Sequence, residues 1–312
     1  MAISDPLDGI TVFAAVAEAE SFTSAARTLG MSKAAVSIQV QKLEDRLGSR
    51  LLNRTTRRVS LTEEGRAYYA HARRILTEAR DAVDSLDTLS SEPKGLIRIN
   101  APMSFGFLHL GKAIAEFMKA YPKVEIDLSL NDRKIDLVEE GFDVGIRIAS
   151  LPDSSMIARR LAPSRRIVVA SPGYWAEHGK PKHPDDLRQH TLLSYGYLAE
   201  PEVWIFKGPD GDIRVPVKSR YRANNGNVLM QAAVEGVGVY MAPTFFFSEA
   251  IRCGALESVL GEYEAEPNSI YATYPHRRHL SVRVRSFVDF LAARFGDNPY
   301  WDQACEGRHQ IS

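Results

Sequence analysis

The chain has 312 residues, 45% of them hydrophobic and 25% charged, with 39 basic and 39 acidic side chains. That length predicts about two domains of ordinary globular composition, and zero net charge excludes nucleic-acid binding driven by overall charge, so any basic surface must be local. The two cysteines, Cys253 and Cys305, match no metal or disulfide spacing and suit a reducing cytoplasm, and the most apolar run, 237–247, is too short and too broken to span a membrane.

Asp5-Pro6 predicts the start of a first helix, with Asp5 as cap and Leu7, Ile10, Phe13, Ala14 and Ala17 on one face. This is an amphipathic opening rather than a basic-then-apolar signal segment. Ser21 or Thr23 caps a second helix that turns Phe22, Ala25, Ala26 and Leu29 inward, and Gly30 ends it. Ser32 caps a third helix, with Val36, Val40, Leu43 and Leu47 inward and Lys33, Ser37, Gln41 and Lys42 on the other face. The small residues Ala34 and Ala35 lie near its start. A short helix, a tight turn and a second helix with a polar N-terminal face make a DNA-reading helix-turn-helix, although an ordinary helical hairpin shares the periodicity.

The span 46–62 holds five arginines and no acid. Arg54-Thr55-Thr56-Arg57-Arg58 sits between Leu51-Leu52 and the apolar positions Val59 and Leu61, which predicts a two-stranded ribbon with a basic tip suited to phosphate contacts. The residues assigned to DNA are Ser32, Lys33, Ala34, Ser37 and Gln41 on the helix and Arg54, Thr55, Arg57 and Arg58 on the wing.

In order and spacing, these pieces resemble the N-terminal region of LysR-type transcriptional regulators. The match runs through Ser21-Phe22-Thr23-Ser24-Ala25-Ala26, Leu29-Gly30-Met31-Ser32, Val36-Ser37, Leu43-Glu44, Leu47-Gly48, Leu51-Leu52-Asn53-Arg54 and Leu61-Thr62-Glu63-Glu64-Gly65. The resemblance implies a winged helix-turn-helix head and a linker helix. A type-2 periplasmic-binding-protein-like α/β effector domain of two subdomains would follow. It also implies double-stranded DNA and a small-molecule effector as partners, a homodimer through the linker helix, two dimers joined into a tetramer, RNA polymerase as a further partner, a cytoplasmic location, and no cofactor or membrane. The boundaries expected are 1–62 for the head, 63–90 for the linker helix and 91–312 for the effector domain. Within the last, subdomain I covers about 95–163 and 268–300, and subdomain II about 164–267. One departure matters. Many relatives begin the reading helix with Ser-Gln-Pro or Ser-Gln-Ser, whereas this chain has Ser32-Lys33-Ala34, and Ile38 follows Ser37. The base preference of those relatives does not transfer.

Thr62-Glu63-Glu64 opens a long helix to about Leu89. Tyr68, Ala72, Ile75, Ala79, Ala82, Leu86 and Leu89 alternate spacings of four and three, a heptad seam that predicts pairing with a second helix. The polar stretch 90–95 is a linker; its Ser-x-x-Lys lacks the buried lysine a nucleophile needs. Strands and helices then alternate. Strands are predicted at 96–100, 124–130 and 142–148, and helices at 104–121 and 134–140, the former with Phe107, Leu108, Ile114, Phe117 and Met118 inward. A connector at 159–166 leads to strand 167–170, helix 173–178, strand 192–195 and a hairpin of 203–206 with 213–217. Helix 227–235, strand 237–241, helix 244–251, strand 269–274 and helix 282–295 complete a doubly wound pattern.

Ligands in such sheets sit beyond the carboxyl ends of strands, near helix N-termini. This points to Pro102, Met103, Ser104, Asn131, Arg147, Tyr195, Asn225, Gly226, Asn227 and Met241 as an effector site. Two helix starts and an arginine favour a carboxylate or other small anion. Each has a plainer reading: Ser104 and Asn227 as caps, Arg147 paired with Asp143 or Asp153, and 224–226 as a turn. His276-Arg277-Arg278-His279 has no acid or cysteine nearby in sequence and reads as an exposed turn, not a metal site. An effector-responsive transcription factor is the first reading. The alternatives are a DNA-tethered α/β enzyme, which lacks a nucleophile–base or metal set, and a periplasmic-type carrier, which would not have a winged head.

Overall fold

The computed structural model describes residues 7–54, 59–86, 92–133, 135–150, 156–197, 203–208, 211–265, 268–275 and 280–306. It divides into two units, Met1–Leu89 with Asp136–Gly141, and Ser90–Ile135 with Phe142–Ser312.

In the first unit α1 (Ile10–Ala19) starts at Gly9, whose φ of 80° ends the preceding turn. The helix thus begins later than the Asp5-Pro6 signal, which lies outside the described residues. Ile10, Phe13 and Ala14 are buried as expected, joined by Val12 and Val16, while Leu7 is exposed in the turn before the helix. Ser21, not Thr23, caps α2 (Phe22–Thr28) by accepting the Ser24 N–H. Gly30, at φ 62°, turns the chain. Ser32 caps α3 (Lys33–Leu47) by accepting the Ala35 N–H.

Val36, Val40 and Leu43 are buried, but Leu47 is exposed at the helix end. Glu44 turns inward instead, because its carboxylate accepts the Leu51 and Leu52 N–H groups at 2.9 and 3.1 Å. It thereby ties α3 to β1 (Leu52–Arg54), which pairs antiparallel with β2 (Val59–Leu61), Leu52 opposite Leu61.

Thr62 opens α4 (Glu63–Leu86) by accepting the Gly65 N–H at 2.8 Å. A Cβ at Gly65 would stand 1.9 Å from the Leu51 carbonyl oxygen, so only glycine lets α4 lie this close to the strand. The ring of Phe13 packs against Tyr68 and Tyr69, and Ala72 is buried in the same core. The first two positions of the heptad seam are therefore used by the head itself. Ile75, Ala79 and Ala82 are exposed further along; the side chain of Leu86, and Leu89, lie outside the description.

The second unit opens with β3 (Gly95–Ala101). α5 (Met103–Phe105) runs through a π-turn at Gly106–Leu110 into α6 (Gly111–Ala120). The wider turn rotates side chains relative to a 3.6 period. Phe107 is therefore 75% exposed and Met118 is exposed too, while Phe105, His109 and Leu110 join Ile114 and Phe117 inside. β4 (Val124–Leu130) runs parallel to β3. The helix expected over 134–140 is a turn at 137–140, with residue 134 outside the description.

β5 (Val144–Ala149) follows, then β6 (Met156–Ser164), a strand where the sequence suggested a connector. It pairs along its length with β15 (Asn268–Pro275), a partner more than a hundred residues away. The first sheet has the order β4-β3-β5-β15-β6.

The chain crosses at Arg165 into β7 (Arg166–Ala170), α7 (Pro172–His178) and β8 (Leu192–Tyr195). The hairpin pairs β9 (Val203–Gly208) with β10 (Gly211–Pro216), and β11 (Ser219–Ala223), α8 (Gly226–Val234) and β12 (Val239–Pro243) follow. The helix expected at 244–251 is a 3-10 turn, Thr244–Phe246, then α9 (Ser248–Arg252). β13 (Glu257–Val259) and β14 (Glu264–Ala265) precede the return into β15. The second sheet is β11-β8-β12-β7-β13, and β10-β9-β14 form a small third one. α10 (Val282–Phe295) and α11 (Tyr300–Glu306) close the unit. Two sheets linked by two crossings are the expected two-subdomain α/β architecture.

Candidate functional site

On α3, Lys33, Ser37 and Gln41 follow one another at i, i+4 and i+8 and form a single stripe. Ser32, Lys33, Ala34 and Gln41 are exposed and Ser37 is half-buried. Gln41 donates to Asp45 at 2.8 Å, which holds its amide along the helix. Ile38 is 56% exposed beside Ser37, an apolar side chain off the buried stripe that the sequence assignment did not include. Thr55, Arg57 and Arg58 lie outside the described residues, and Arg54 is described only as the last residue of β1.

In the second unit a cavity of about 260 Å3 opens between the two halves. It gathers Pro102 after β3, Asn131 after β4, Arg147 on β5, Tyr195 at the end of β8 and Met241 on β12, with Ser104 from α5. These are carboxyl ends of strands from both halves, the place open α/β sheets put ligands. Six of the ten expected residues thus converge. Met103, Asn225, Gly226 and Asn227 do not line the cavity. Asn225 caps α8, its Oδ1 accepting the Asn227 and Val228 N–H groups, and its Nδ2 meets the Met103 sulfur. A Cβ at Gly226 would fall 2.4 Å from the Phe246 ring, so packing demands that glycine. Asn227 is not a cap, and its buried Oδ1 has no hydrogen-bond partner among the described residues.

Ser104 is not a cap either. Pro102 holds the N-cap position, and Asp132 serves as the acceptor, taking the Met103 N–H at 2.9 Å. Asp132 also hydrogen-bonds Tyr195 across the cavity; burial first, then the Asp132 charge, push that phenol far above its ordinary pKa. The sequence marks Asn131-Asp132 at this strand end as a candidate place, yet only Asn131 of the pair is counted among the site residues.

Among the described residues Arg147 pairs with no acid. Its Nη1 donates to Asn100 Oδ1 at 2.7 Å and to the Ile146 carbonyl at 2.8 Å. Nη2 is buried with no hydrogen-bond partner among the described residues, as is Asn131 Oδ1. Burial pulls the guanidinium below its ordinary pKa. Asp143 accepts the Arg98 N–H instead, and Asp153 lies outside the description. Arg147 is not the sole cation here: Arg133 and Arg166 also line the cavity. Among the described residues no group of His, Cys, Asp and Glu is arranged to hold a metal, and no helix is long and apolar enough to cross a membrane. The 276–279 stretch lies outside the description.

Residues 7–66 match the family described as bacterial regulatory helix-turn-helix protein, lysR family, and residues 90–296 match the LysR substrate binding domain. The chain is similar to the HTH-type transcriptional regulator PtxR of Pseudomonas aeruginosa, 35% identical over 294 residues, which is 94% of each chain. It is similar also to DmlR of Escherichia coli, 36% identical over 293 residues, covering 94% of this chain and 95% of that one. Among solved structures, full-length AphB of Vibrio cholerae, a virulence activator, is 31% identical with a TM-score of 0.60, covering 93% of this chain and 99% of that one. CrgA of Neisseria meningitidis, a LysR-type regulator, is 32% identical with a TM-score of 0.60, covering 94% and 100%.

Proposed function

Since the chain belongs to the LysR family of transcriptional regulators, we propose that its cavity beside Arg147 binds a small anionic effector and that α3 and the wing bind operator DNA. The protein is a DNA-binding regulator with an effector-binding domain, not an enzyme. What supports the anion is the buried Nη2 of Arg147, which has no hydrogen-bond partner among the described residues, on a cavity that Asn131 also lines. A buried guanidinium with an unmade hydrogen bond is costly, and a carboxylate that accepts from Nη2 offsets that cost. Asn131, if its amide turns, donates to the same oxygen; Ser104 and Tyr195 give further polar contact.

In the head, Lys33 and Gln41 reach base edges, Ile38 offers apolar contact to a thymine methyl, and Arg54, Arg57 and Arg58 hold phosphates. The exposed Ile75, Ala79 and Ala82 pair α4 with a second chain, two dimers join into a tetramer, and the assembly works in the cytoplasm with RNA polymerase.

Calorimetry of the full chain against acetate, succinate, glutamate and phenylacetate tests the effector reading. At least one should bind, and Arg147→Ala should weaken it by about 1.5–3 kcal/mol. Affinity unchanged in both Arg147→Ala and Ser104→Ala would refute it.

A further inference from the structure

Among the described residues, Asp132 is the one acid that lines the cavity beside Arg147. It is half-buried, and it accepts the Met103 N–H at 2.9 Å and the Tyr195 hydroxyl. An ionised carboxylate has about four acceptor positions, so these two contacts leave capacity for a further donor. Asp132 makes no ion pair with Arg147, although both line the cavity; Nη1 of Arg147 goes to Asn100 and the Ile146 carbonyl instead. The carboxylate and the guanidinium are thus separate poles of one site. Phe105, Ile148, Phe245 and Phe246 give it an apolar wall. At about 260 Å3 the cavity has room for on the order of nine water-sized groups, at ~30 Å3 each.

These poles restrict what fits. An acid inside an anion site repels a second carboxylate and attracts a hydrogen-bond donor. Arg133 lines the cavity as well, so positive charge outweighs negative even with Arg166 set aside. A zwitterionic amino acid leaves that excess in place, whereas a singly charged acid with a neutral hydroxyl removes one unit of it.

We propose that Asp132 selects the effector, and that the cavity takes a hydroxy monocarboxylic acid with an apolar body, its carboxylate toward Arg147 and its hydroxyl donating to Asp132. This rests on the anion reading above and narrows it. Asp132 follows β4 in the first half and Tyr195 ends β8 in the second, so a hydroxyl that joins their hydrogen bond ties the effector to both halves at once. An acid without the hydroxyl leaves this acceptor unfilled, the mismatch by which polar sites reject an analogue.

Calorimetry of the full chain with matched pairs of acids tests this: mandelate and phenylacetate, 2-hydroxy-4-methylpentanoate and 4-methylpentanoate, lactate and propionate. In at least one pair the hydroxy acid should bind roughly tenfold tighter, and that ratio should fall to about one in Asp132→Ala. A purely structural Asp132 would shift both members of a pair equally and leave the ratio unmoved, which would overturn the proposal. Asp132→Asn keeps an acceptor for the Met103 N–H and should lower the ratio in part, so the test stays open if the alanine variant does not fold. Equal binding within every pair would overturn the hydroxyl assignment and leave the anion reading standing. Phenylglycine bound tighter than mandelate would overturn it in favour of an amino acid. No binding by any of these hydroxy acids would overturn it too, whether or not another acid such as glutamate binds.

Discussion

Glu44 is the residue on which the reading head's internal geometry depends most sharply. It is 5% exposed, and its Oε1 takes two N–H groups, from Leu51 and Leu52, both themselves buried. Glu44→Ala leaves two buried donors without an acceptor. At ~1.5 kcal/mol for each hydrogen bond to a charged group, the loss is about 3 kcal/mol, a large part of the ~5–15 kcal/mol that holds a domain. Glu44→Gln keeps an acceptor oxygen in place and gives up only the charge assistance, so it should cost about 1 kcal/mol.

Urea unfolding separates the two units cleanly. All three tryptophans, Trp175, Trp204 and Trp301, belong to the second unit. Far-ultraviolet circular dichroism follows both units, whereas tryptophan emission follows the second alone. Glu44→Ala should move the head's transition and weaken operator binding while tryptophan emission keeps its midpoint. Equal effects of the alanine and glutamine variants, or a loss below ~1 kcal/mol for alanine, would refute the assignment of Glu44 as the acceptor that fixes β1 on α3.

His109 is buried between Tyr300 and the Phe245 carbonyl, and burial lowers its pKa from the ordinary 6.5. The unfolded chain then binds the proton more readily, so this group's contribution is present above pH 6.5 and is lost as pH falls toward the folded value. Stability of the second unit measured by tryptophan emission should decline from pH 7 to 5 more steeply in the unaltered chain than in His109→Gln; parallel curves would count against it. Lys33→Ala should change the preference among operator variants by ~1–3 kcal/mol if Lys33 reads a base. A uniform loss over all sequences in a binding titration would make it a phosphate contact. Ile75 is exposed on α4, so Ile75→Asp should leave the monomer folded and yield monomers in sedimentation. An intact dimer would sink the α4 pairing.

The head was legible because its signals are local. Ser21, Ser32 and Thr62 each cap the helix that their position announced, since a cap needs only a side-chain oxygen within three residues of a free N–H. The stripe of Lys33, Ser37 and Gln41 follows from helical period alone. The strands β3, β4, β5, β8 and β12 announced themselves by apolar content and alternation, and with them the carboxyl ends near which six of the expected residues meet.

Errors appeared wherever a distant partner outweighed local preference. Phe107 reads as a core residue, yet the π-turn turns it out and seats His109 against Phe245, 136 residues away. Residues 159–164 have little strand signal of their own and become β6 because β15 supplies the ladder. Ser104 and Asn227 looked like caps, but Asp132 and Asn225 take those roles. By itself the sequence determined the winged head, the long helix, the alternating α/β pattern and which strand ends could carry a site, because capping and periodicity are written within a few residues. Only the tertiary structure decided that Glu44 faces inward, that Asp132 bridges the cavity to Tyr195, and that Arg147 keeps a buried N–H with no hydrogen-bond partner among the described residues. Those outcomes depend on which groups from far along the chain arrive within hydrogen-bond distance, and on which are left without a partner.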